Sequence, residues 1–146
     1  MIKIRAKNLI QIQFCGIHFN SQYEHMDLDK KLDFHKAHKE WKSRLQFYQD
    51  EIKFFFKELN MVFDQNKKNL AWMEFIDEYE AILDKKSDKI QQLLLRIDAS
   101  EKECLDKEIE QSQANNHHQL HLDVLDFEEK YNEMKRRFKR FASHND

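Results

Sequence analysis

Glycine and proline are almost missing from this chain: one Gly and no Pro in 146 residues. Without them the chain lacks the residues that build tight hairpins, phosphate-cradling loops and nucleophile elbows, so sheet-rich and nucleotide-binding folds are disfavoured. Cysteine is scarce too. Cys15 and Cys104 lie far apart and match neither a redox pair nor a thiolate zinc site, which points to a reducing, cytoplasmic setting. No apolar run reaches the ~18 residues of a membrane span. Net charge is only −2, so no global field draws the chain to nucleic acid or to an anionic bilayer.

What is present is helix-forming and amphipathic. Charged residues make up 36% and hydrophobic ones 40%, with twelve Phe and two Trp to fill a core. The size suits one domain.

Residues 1–25 read differently from the rest. Lys3, Arg5 and Lys7 face a single acid, Glu24, and "LIQIQF" alternates apolar with polar residues. Gln11 and Gln13 interrupt the stretch and no small-residue cleavage site follows, so it is a poor secretory signal. A short strand or loosely ordered leader is expected here, with the helical domain over 26–146 and Met26 as an alternative start.

From Asp27 the period becomes helical. Phe34, His38, Trp41, Leu45, Tyr48, Ile52, Phe55, Leu59 and Val62 recur at steps of three and four, a single stripe along one helix face. The pattern lapses in "DQNKKN", where Asn and Asp can turn the chain. A second stripe runs through Trp72, Ile76, Tyr79, Leu83, Ile90, Leu93 and Ile97, broken only by Lys86. Ser100 followed by Glu103 reads as a capping box, so a third helix is expected to begin near Ser100. After the polar run "EQSQANN" a third stripe follows: His117, Leu120, Val124, Phe127, Tyr131, Met134, Phe138 and Phe141. The predicted fold is all-α: an up-down-up three-helix, coiled-coil-like bundle, or four helices if the chain breaks at Asn115–Asn116.

Two histidine groups are the candidate chemistry: His35 with His38, and His117 and His118 with His121. Spacings of three or four on a helix put imidazoles on one face, where two nitrogens can reach one ion. A divalent transition metal held by His35, His38, His117 and His121 is therefore the alternative to seam histidines without a cofactor. The Glu-x-x-His of ferritin-like sites and the His-x-x-x-Glu of haemerythrin-like sites are both missing. With turns near Gln65–Lys67 and Ser100, His38 would lie level with Leu94 and Asp106. The two histidine groups would then sit ~15 Å or more apart.

The C-terminal "KRRFKRF" interleaves bases and aromatics, yet Phe138 and Phe141 continue the core stripe, and the bases complement a helix C-terminus. In "FFF", Phe54 to Phe56, at least one ring must stand outside a narrow seam. No base is arranged beside any Ser or Cys, so no catalytic residue is assigned.

The segment from His38 to Phe55, with His38 and Trp41 followed by Leu45, Phe47, Tyr48, Asp50 and Glu51, resembles the first helix of a group of short helical bacterial proteins without assigned function. The resemblance spans one helix and implies an intracellular helical protein. Taken together these features predict a non-catalytic interaction or scaffold module, acting through a protein partner or self-association, with nucleic acid disfavoured. A His-containing metal-binding bundle is the alternative.

Overall fold

The computed structural model describes the backbone of residues 3–144 and the side chains of residues 25–143. Three helices make up the fold: α1 (Lys3–Gln65), α2 (Leu70–Asp106) and α3 (Gln111–His144). Among the described residues there is no strand. Where alternation in "LIQIQF" suggested one, the backbone is part of α1. Of the expected leader, the side chains of residues 1–24 lie outside the described residues.

The first turn shows how the chain manages without glycine. Asn66 donates through its side chain to the Val62 carbonyl (2.9 Å), closing the last turn of α1. Asn69 then caps α2, its Oδ1 accepting from the Trp72 amide at 3.4 Å. No residue among those described takes a positive φ, so the backbone never demands the conformation that only glycine adopts cheaply.

The second turn lies later than the capping-box signal placed it. Ser100 is not an N-cap but sits in the body of α2, 3% exposed, and α2 runs on to Asp106. The loop 107–110 carries the reversal, and α3 begins at Gln111 with no break at Asn115–Asn116. Its start is secured by half of a capping box: Gln113 Oε1 accepts from the Glu110 amide at 2.9 Å, and Ala114 N–H makes the first helical bond to the Glu110 carbonyl. Asp27 of α1 also reaches the loop, its Oδ1 accepting from the Ile109 amide at 3.0 Å.

Cross-helix pairs define the arrangement. Lys42–Asp98 and Gln49–Ser87 run α1 antiparallel to α2, and Arg96–Asp123 with Tyr79–Met134 run α2 antiparallel to α3. Arg44–Glu128 and Lys135–Glu51 hold α1 parallel to α3. The core follows the three sequence stripes: Leu45, Leu59, Leu83, Ile90, Leu93, Ile97, Val124 and Tyr131 are fully buried. Lys86, the lone break in the second stripe, is half-buried and lays its Nζ 5.8 Å from the centre of the Phe127 ring. Burial first, then the charge of Lys130, holds its pKa below the ordinary lysine value. Phe141 continues the third stripe as expected, stacking on Phe75 with ring centres 3.6 Å apart.

Candidate functional site

The first reversal sets His38 level with Ser100 and Glu101 rather than Leu94, and the second, later than predicted, brings His117 of α3 alongside. The fold thereby brings the two histidine groups together. His38 Nε2 lies 3.1 Å from His117 Nδ1, not the wide separation that early turns would impose.

The cluster draws on all three helices. On α1, the three-residue spacing sets His35 and His38 on one face. Across from them the Glu101 carboxylate of α2 accepts from both: Oε1 meets His35 Nδ1 in a short hydrogen bond, and Oε2 meets His38 Nδ1 at 2.5 Å. His38 is 1% exposed, so its two nitrogens are satisfied inside the protein, Nδ1–H by Glu101 and Nε2 by His117. Ser100 Oγ lies farther off, 3.4 Å from the same Nε2. His35 is the outer member, its side chain 56% exposed, which leaves one flank of the cluster open to solvent.

Aromatic rings wall the inner side. Phe34 stacks on His117 at 3.7 Å between ring centres, and Trp41 packs against both His117 (4.9 Å) and His121 (5.3 Å). This apolar surround sets the electrostatics. Burial foremost, then the neighbouring imidazoles of His38, His121 and His118, push the pKa of His117 down to about 4, so it stays neutral near pH 7. At Glu101 burial opposes ionisation, but hydrogen bonds from His35 and His38 and their charges outweigh it, holding the carboxyl below its usual range. Burial raises the pKa of the Cys104 thiol one turn along α2, with Glu101 adding to the effect, so it is not a thiolate.

Of the four residues predicted as ligands, then, His35, His38 and His117 converge. His121 stands beside Trp41, its Nδ1 buried without a hydrogen-bond partner. His118 is exposed. Glu101 is the member that sequence patterning does not single out: its only local mark is its place one residue after Ser100. Among the described residues no group of three or more His, Cys, Asp or Glu side chains is arranged so that it could hold a metal ion.

Ser100, His38 and Glu101 are the residue types of a hydrolytic triad, but the surroundings are wrong for one. Ser100 is buried in mid-helix, where backbone amides are consumed by the helix and none is free to stabilise an oxyanion.

Two outer surfaces complete the picture. Near the far end of the bundle α2 and α3 flank a groove of about 880 Å³ lined by Phe75, Ile82 and Phe141. On α1, Phe47, Phe54 and Met61 are 61%, 57% and 56% exposed. Among the described residues no helix is long and apolar enough to cross a membrane. The chain matches no family model, no curated protein and no solved structure.

Proposed function

We propose that this chain is a non-catalytic helical-bundle interaction module whose contact surface is the outer face of α1. The observation that carries the reading is the row Phe47, Phe54 and Met61. Each follows a core residue, Leu45, Ile52 or Leu59, by two positions, about 200° round the helix. The core residues are 0–2% exposed while the row is more than half exposed, so the two sets occupy opposite poles of one helix. Three large apolar side chains on a solvent pole add nothing to the fold. Their seven-residue interval is that of a helix–helix seam, and Asp50, Lys53, Lys57 and Glu58 supply the charged flanks that set partner and register. Phe54 is also the ring of "FFF" that the seam leaves out, whereas Phe55 and Phe56 pack on the core. The docking element is accordingly a helix of another chain or of a second copy.

A photo-cross-linking residue placed at Phe54, with one at the exposed Asp88 of α2 as control, tests this in the cell of origin. A discrete adduct from position 54 and none from the control is the expected outcome. No discrete adduct from position 54, or the same adducts from both positions, sinks the reading.

A further inference from the structure

The α1 row has a counterpart on the far side of the same bundle. We propose that the groove between α2 and α3 receives the α1 row of a second copy, so that copies join side by side, front to back; this rests on the reading of α1 as the contact surface and names its partner. Phe75 and Ile82 give the groove an apolar floor. Its α2 wall carries Glu74 and Glu78, with Lys86 at one end. The α3 wall is mainly basic, with Lys130, Arg137 and Arg140 against the single acid Glu133.

Length and position favour a second copy as the occupant. At ~1.5 Å per residue the row from Phe47 to Met61 spans about 21 Å, and the α2 wall from Ala71 to Lys86 spans about 22 Å. The outer pole of α1 looks away from α2 and α3, and the groove opens on the opposite side of the bundle. Both lie at the same height, because the Gln49–Ser87 bond and the Lys135–Glu51 pair set the row level with the segments that line the groove. A sideways shift of one molecule, without rotation, therefore lays the row of one copy in the groove of the next.

Charge order agrees with that placement. Lys42 and Gln49 turn towards α2, and Arg44 and Glu51 towards α3. At ~100° per residue, Asp50 and Lys57 then lie on the α2 side of the row and Glu58 on the α3 side. A shifted copy keeps these sides. Its Asp50 comes level with Lys86, its Lys57 stands within one turn of Glu78, and its Glu58 meets the basic α3 wall within one turn of Arg140. A copy turned end over end would instead set Glu58 against the acids of α2. Among the described residues Lys57, Glu58, Glu74, Glu78 and Arg137 form no ion pair within the chain, so these charges are available to a neighbour. Row and groove are different surfaces, so the contact does not close on itself and copies add to an open row.

Sedimentation velocity of the full chain over a rising concentration series tests this. The mass is expected to climb with concentration and to pass the dimer without a plateau. Phe54→Glu spoils the row and leaves the groove; Ile82→Glu puts a charge on the groove floor and leaves the row. Should Ile82→Glu fail to fold by circular dichroism, Glu74→Lys with Glu78→Lys, both at exposed positions, reverses the α2 wall instead. Each variant alone is expected to stay monomeric where wild type associates. Mixed in equal amounts, a row variant and a groove variant should form a 1:1 dimer and nothing larger, because one intact row meets one intact groove. A wild type that is monomeric throughout, association that ends at a dimer, or a mixture that yields no dimer overturns the proposal. If the wild type is monomeric while the cross-linker at position 54 still captures a different protein, self-docking alone falls; with no adduct at that position, the reading of α1 falls with it.

Discussion

Acidification in the presence of chelator should destabilise the fold well before its carboxylates titrate, and His117 sets the size of the effect. An imidazole that titrates near 6.5 when unfolded and at about 4 when folded binds its proton more tightly in the unfolded chain. Its contribution is therefore complete above the unfolded value, falls as pH drops from 6.5 towards 4, and is constant below. Linkage puts the loss between about pH 7.5 and about pH 5 at ~2 kcal/mol, which the ring's partial exposure reduces to about 1–1.5 kcal/mol. Asp27, Glu101 and Asp123 also favour the fold, but their pKa values are depressed. An acid of that kind loses its contribution only as pH falls below its ordinary value of 3.8 or 4.5, so the window above pH 5 belongs mainly to histidine. Urea melts across that window, on wild type and His117→Phe, measure it. The variant should start about 1 kcal/mol less stable at neutral pH, because His38 loses a partner. Its stability should then stay nearly flat down to about pH 5. A wild-type curve without slope, or a variant curve parallel to it, would refute the assignment of His117 as a buried neutral imidazole.

Two further outcomes follow from the packing. Asp27→Ala removes the acceptor for the Ile109 amide and the ion pair with Lys31, so the 107–110 loop loses its tether to α1. Exchange at the Ile109 amide should accelerate while global stability drops by about 0.5–1.5 kcal/mol; unchanged exchange would show that the contact does not hold the loop. Leu83→Ala empties a fully buried site in mid-core and should cost roughly 2–5 kcal/mol in a denaturant melt. A cost below ~1 kcal/mol would mean that the three stripes do not meet there as described.

Legibility differed sharply between helix faces and helix ends. The three apolar stripes could be read because burial on one face imposes a period of three and four, and His38, Trp41, Leu83 and Tyr131 all lie inside as their spacing implies. Ends are harder. A capping box is a local signal worth about a kilocalorie, and Ser100 carries its pattern while serving a different purpose, packed beneath His38 in mid-helix. The true start of α3 depends on the side chain of Gln113 and on Asp27, some eighty residues earlier, neither of which announces itself in a short window. The late second reversal slid α3 along α2, the first reversal set α1 a few residues further along α2 than expected, and together these offsets account for the separation of the histidine groups expected from the sequence. Glu101 stayed hidden for the same reason, since one acid among 27 acquires meaning only when the imidazoles across from it are known.

The parallel pairing of α1 with α3 bears on the order in which the molecule is assembled. Contacts between α1 and α2 close once the first reversal has formed, and they include the hydrogen bonds of His35 and His38 to Glu101. The His38–His117 contact joins residues 79 apart and Arg44–Glu128 joins residues 84 apart, against 66 and 63 for the contacts of His35 and His38 with Glu101. Links between α1 and α3 need both reversals in place, whereas those between α1 and α2 need only the first. During synthesis the carboxylate and its two imidazoles can meet before α3 has left the ribosome. The contact of His38 with His117 then reports that α3 has docked.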